Sequence, residues 1–93
     1  MIFGITNSIF YIVENNEIVL YDGPDNRISF SLEYGLAGMV VKEMKPYIIH
    51  DIRSNNVYNK LVDLTSILPI YALPLITKNT KEVIGVIEIV LKN

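Results

Sequence analysis

Residues 8–21, Ser-Ile-Phe-Tyr-Ile-Val-Glu-Asn-Asn-Glu-Ile-Val-Leu-Tyr, decide how the chain folds. Ser8 to Val13 reads as a strand, Glu14-Asn15-Asn16-Glu17 as a polar turn, and Glu17 to Tyr21 as the returning strand. Two β-rich runs on either side of a short Asn-containing turn form a hairpin. The 93 residues include 15 Ile and 9 Val, β-branched side chains that suit a pleated surface.

Downstream, Asp22-Gly23-Pro24-Asp25-Asn26 is a loop signal. Ile28, Phe30 and Leu32 alternate with Ser29 and Ser31, giving a third strand with one wet or cavity-lining face. Gly35 opens a short helix, with Leu36, Met39, Val40 and Met44 at helical spacing, and Pro46 ends it. Tyr47 to His50 is a short strand and Asp51 to Asn56 a loop. Val57, Leu61 and Leu64 suggest a second short helix ending before Ser66. Ile67 to Ile76 is a strand interrupted by Pro69 and Pro74, hence irregular. Thr77 to Lys81 is a turn, and Glu82 to Leu91 the last strand. The expected order is β-β-β-α-β-α-β-β. The fold class is α+β: a mostly antiparallel sheet of five or six strands with two short helices on one face.

In the first, second and last strands apolar residues point both ways, and a sheet with two apolar faces requires cover on both. Two short helices cover one. The other is expected to meet a second copy, a partner, or further domains of a larger protein. The sequence reads as a single domain. With no cysteine there is no disulfide, thiolate metal site or cysteine nucleophile. A net charge of -2 argues against a nucleic-acid partner, and no apolar run reaches the roughly 18 residues of a membrane helix. Met1 to Val13 lacks the basic start of a signal peptide, so a cytoplasmic location is expected.

Five stretches resemble a GAF domain, the small-molecule sensory module of signalling proteins. They are Ser8 to Val13, Gly35-Leu36-Ala37-Gly38-Met39-Val40, Pro46 to Ile52, Tyr71-Ala72-Leu73-Pro74-Leu75, and Glu82 to Val90. Within that family the chain is similar to the regulatory domains of cyclic-nucleotide phosphodiesterases. That resemblance implies a cyclic nucleotide ligand, cyclic GMP or cyclic AMP, bound without a covalent cofactor. It places Tyr21 against the purine ring, Asp22 at the purine edge, and Ser8 as a pocket hydroxyl. It sets Leu36 and Ala37 at the ligand phosphate, Asp63 and Thr65 on the lid with Tyr58 near them, and Glu88 on the sheet floor. GAF relatives that attach bilins or reduce methionine sulfoxide rely on cysteine, which is absent here, so a non-enzymatic role is expected.

The residues bear on this independently. Helix starts bind anions through free N–H groups and the macrodipole, and Gly35 to Gly38 is a small-residue start. The same glycines would equally serve as a cap and a packing contact. Tyr21-Asp22-Gly23 would equally be an ordinary strand end and turn. Glu88 interrupts an apolar run, so its carboxyl must reach water, a donor or a ligand. His50, the single histidine, and Asp51 read as a strand end and a loop cap. No metal-ligand cluster or nucleophile–base set stands out. The alternative to a sensor is a ligand-free GAF-like scaffold that docks a partner or dimerises.

Overall fold

A computed structural model describes residues 4–21, 23–66 and 69–92. Six strands and one helix follow one another as β1 (Gly4–Glu14), β2 (Glu17–Tyr21), β3 (Arg27–Ser31), α1 (Gly35–Glu43), β4 (Tyr47–Ile49), β5 (Ile70–Ile76) and β6 (Val83–Lys92). A single 3-10 turn, Ile52–Ser54, follows β4. All strands join one antiparallel sheet in the order β3-β2-β1-β6-β5-β4.

The opening hairpin closes through Asn15 and Asn16, both left-handed, at φ 49° and 62°. Asn tolerates that region, and two such residues make the turn whose twist matches a two-residue hairpin. Glu14 therefore pairs with Glu17, and Val13 with Ile18. The long β1–β6 pairing then sets the two faces. Tyr11 opposite Val86 and Ile9 opposite Glu88 point to the helix side; Phe10 opposite Ile87 points to the other.

Helix α1 packs across β5 and β6. Leu36, Ala37 and Val40 meet Tyr11, Ile18, Ile49, Val62, Ile70, Ala72, Val86 and Val90 in one core. Gly38 lets the helix lie against the β3–α1 turn: a Cβ there would lie 2.1 Å from the Leu32 carbonyl oxygen. The helix ends at a left-handed Met44, whose N–H donates to the Val40 carbonyl at 2.8 Å, two residues before Pro46.

The second helix expected over Val57 to Leu64 does not form. Side chains capture the backbone N–H groups that a helix would need. Asn55 Oδ1 accepts from Val57 N–H (2.8 Å) and Tyr58 N–H (3.1 Å), and Asn59 Oδ1 accepts from Leu61 N–H (2.9 Å). Such local bonds favour turns over helix. Among the described residues one α-helix, not two, therefore covers the sheet. The Ile67 and Leu68 part of the expected fifth strand lies outside the described residues; β5 begins at Ile70. Pro74 stands beyond the last β4 contact, Tyr47 with Ala72, where one edge of β5 is open.

Across β1, β6, β5 and β4 the face away from α1 is largely apolar, while its β2–β3 end carries Ser29, Ser31 and the Arg27–Glu14 pair. Phe10, Ile87 and Leu73 form one row, and Ile48, Tyr71 and Ile89 a second. Phe10 is 46% exposed and Ile48 48%.

Candidate functional site

The polar centre of the molecule lies where β6, α1 and the loop 55–66 converge. Helix α1 begins with Tyr34 at its N-cap, and that side chain makes no capping bond. The free N–H groups are met across 27 residues of sequence by Asp63. Leu36 N–H donates to Oδ1 (3.0 Å) and Oδ2 (2.9 Å), and Ala37 N–H to Oδ1 (3.4 Å). Asn59 N–H donates to Oδ2 at 2.9 Å, which folds the loop onto itself. Gly35 has φ +75°, and a Cβ there would lie 2.9 Å from both Asp63 oxygens, so the carboxylate sits directly on the glycine. Asp63 is only 6% exposed.

Below it, Glu88 is wholly buried on β6. Its Oε1 accepts from Leu64 N–H at 3.0 Å, while no donor among the described residues reaches Oε2. Burial pushes the Glu88 carboxyl up to about 10, and hydrogen bonding to and repulsion from the adjacent Asp63 carboxylate add to the rise. The Leu64 N–H pulls the other way. At neutral pH Glu88 is therefore a neutral acid, and its proton relieves the contact with Asp63. Tyr11, buried on β1, donates its hydroxyl proton to the Val62 carbonyl. Its own ionisation is pushed far up, first by burial and then by Glu88, Asp63 and Tyr58. Loop residues 59–64 are thus pinned at three points: to α1, to β6 and to β1.

The same loop walls a cleft of about 520 Å³, lined by His50, Asp51, Ile52, Arg53, Thr65 and Ser66. Asp51 Oδ1 accepts from Arg53 N–H (2.9 Å) and Nε (3.1 Å), and Oδ2 from an Arg53 terminal nitrogen (3.2 Å). These bonds hold the Asp51 carboxyl below the usual carboxylate range. Tyr58 and Thr65 share a hydroxyl contact at 3.0 Å.

Of the residues singled out from the sequence, Leu36, Ala37, Asp63 and Glu88 come together here. Tyr58 and Thr65 form a pair on the same loop, Thr65 at the cleft. Tyr21 and Ser8 go elsewhere. Leu20 packs on the helix-side core, so Tyr21 faces the other way. Its hydroxyl donates to the Glu14 carboxylate at 3.2 Å, beside the exposed Arg27–Glu14 ion pair. Ser8 lies opposite Ile89, also on the outer face. Asp22 falls outside the described residues. The sequence reading passed over Tyr11 and Asn59, although a hydroxyl inside Ile-Phe-Tyr-Ile-Val is the same kind of signal as Glu88. Among the described residues no group of three or more His, Asp or Glu could hold a metal ion.

The architecture, an antiparallel six-stranded sheet with a helix on one face, is GAF-like. The GAF domain of A. aeolicus nlh2 in an inactive state superposes with a TM-score of 0.73 at 24% identity, over 97% of this chain and 59% of that one. Free methionine-R-sulfoxide reductase from Neisseria meningitidis, in complex with its substrate, gives 0.69 at 20% identity, over 89% and 50%. A GAF sensor protein from Burkholderia vietnamiensis gives 0.67 at 17% identity, over 90% and 53%. The chain thus spans roughly half to three-fifths of each similar structure. No protein-family model and no curated protein sequence matches it. The fold is shared by a reductase as well as by GAF domains, so architecture does not separate catalyst from sensor.

Proposed function

We propose that the chain is a regulatory module that binds a small molecule in the cleft between His50–Arg53 and Thr65–Ser66. One observation carries this reading: a single loop supplies both a wall of the cleft, at Thr65 and Ser66, and the residue that holds the start of α1, Asp63, with Leu64 between them tied to Glu88 of β6. A ligand that favours one position of the loop shifts α1 by the same free energy, which is what a sensor needs. A volume of about 520 Å³ suits a compact organic ligand. We take a cyclic nucleotide, cyclic GMP or cyclic AMP, as the ligand. Arg53 and His50 line the cleft, and Thr65 brings a hydroxyl to it, held by the Tyr58 hydroxyl behind. The role is regulatory rather than catalytic, in keeping with a chain that has no cysteine.

Calorimetry of the chain with cyclic GMP and cyclic AMP tests this. Saturable heat with one nucleotide, reduced in both His50→Ala and Arg53→Ala, is the expected result. No heat with either nucleotide, from protein whose melting is cooperative, rejects the ligand.

A second reading rests on the outer sheet face, where Phe10, Ile48 and Leu75 are substantially exposed. Exposed apolar side chains gathered on one face mark an interaction surface. In that reading the fold is a scaffold, and a second copy or a partner domain covers the face.

A further inference from the structure

The start of α1 is an anion site already filled by the protein itself. Leu36 and Ala37 turn their N–H groups to Asp63, Asn59 N–H joins them, and the carboxylate rests on Gly35, where any side chain would collide with it. Glu88 closes the site from beneath. It is fully buried, with Oε2 unserved by any donor among the described residues, and it lies against Asp63. A buried carboxyl oxygen with no donor is costly in its charged form, so the site favours the protonated acid. The arrangement is therefore two backbone donors from a helix start and one from the loop, converging on a single negative group, with the buried Glu88 carboxyl beside it.

We infer that Asp63 is an internal stand-in for the anionic group of the ligand, so that the loop carrying it is an autoinhibitory lid. The ligand class that competes with it is a small phosphate or carboxylate, of which the cyclic nucleotide phosphodiester is one member. This rests on the small-ligand reading above and reverses the part that the family resemblance assigns to Asp63: it opposes the ligand instead of holding it. Binding lifts Asp63 from Leu36 and Ala37 and gives those N–H groups to the ligand, above the buried Glu88. The loop moves out with it, and Thr65 and Ser66, two and three residues on, carry the motion into the cleft. The observed affinity of the closed protein is its intrinsic affinity reduced by the small fraction that is open.

Groups facing the site from each packed element are few. From β1 comes Tyr11, from β6 Glu88, from the loop Asp63 and Tyr58, and from α1 the backbone donors. None of these side chains is cationic. An incoming anion must therefore rely on the N–H groups that Asp63 now occupies.

The test compares the wild-type chain with Asp63→Asn, using inorganic phosphate, acetate, cyclic GMP and cyclic AMP as probes. Asparagine keeps an acceptor for Leu36 N–H and removes the charge. Amide spectra of Leu36, Ala37 and Asn59 report occupancy of the helix start, and His50 and Thr65 report the cleft. The expected result is roughly tenfold or greater tightening for at least one anionic probe in Asp63→Asn, with the Leu36 and Ala37 amides shifting on addition. If Asp63→Asn does not fold, the wild-type amides at saturating probe decide alone: a shift at Leu36 and Ala37 supports the lid. Cyclic nucleotide binding that moves His50 and Thr65 but leaves Leu36 and Ala37 still overturns the lid and keeps the sensor. Silence at both places for every probe overturns both. Weaker binding in folded Asp63→Asn overturns the lid and restores Asp63 as a ligand contact.

Discussion

Replacing Glu88 with Gln should stabilise this protein at neutral pH, although it removes an acid from the polar centre of the fold. The carboxyl titrates near its ordinary value of 4.5 when unfolded and at about 10 when folded. Between those two values the folded state holds a proton that the unfolded state has released. Stability contributed by this group is thus complete below about pH 4.5 and declines as pH rises, until the folded carboxyl itself ionises near pH 10. Each pH unit costs about 1.4 kcal/mol. From 4.5 to 7 the loss is about 3 kcal/mol, a large share of the roughly 5–15 kcal/mol that holds a domain of this size together. Glutamine is neutral at every pH. Its oxygen still accepts from Leu64 N–H, and its amide offers Asp63 the donor that the Glu88 proton supplies. Urea unfolding of both proteins from pH 4 to pH 9 measures the difference directly, because other carboxylates titrate alike in each. The two proteins should nearly coincide at pH 4 and separate by about 3 kcal/mol at pH 7, equivalent to roughly 10 °C or more in melting temperature. Curves that stay parallel across the range would falsify the claim that Glu88 is folded as a neutral acid.

Gly38→Ala should be among the most damaging single changes in α1, because the new methyl would meet backbone, the Leu32 carbonyl at 2.1 Å, which has no rotamer to yield. A loss of roughly 1–3 kcal/mol in urea unfolding is expected, and an unchanged midpoint would show that the helix and the β3–α1 turn separate freely. The isolated chain should self-associate through its outer face, and Phe10→Asp with Ile48→Lys should return it to a monomer in sedimentation velocity; a wild-type monomer would leave no reason to assign that face a partner.

The reach of the sequence follows the range of the interactions. Ser8 to Tyr21 disclosed a hairpin because β-branched and aromatic runs and the Asn15-Asn16 turn are all local. A sheet of five or six strands with helix on a single face was equally open to reading, since each strand is punctuated by its own turn residues. Glu88 announced itself as a carboxyl in an apolar run. The Val57 to Leu64 segment misled, because apolar spacing suited a helix while Asn55 and Asn59 held the N–H groups that a helix requires. Ser8, Tyr21 and Glu88 were grouped by resemblance, yet strand parity sends the first two to the outer face and the third to the core. Only the tertiary structure could set Asp63 on the N–H groups of Leu36 and Ala37 and Glu88 beneath it. A helix end leaves its donors open whatever the local sequence, and which carboxylate meets them depends on where a loop 27 residues away comes to rest.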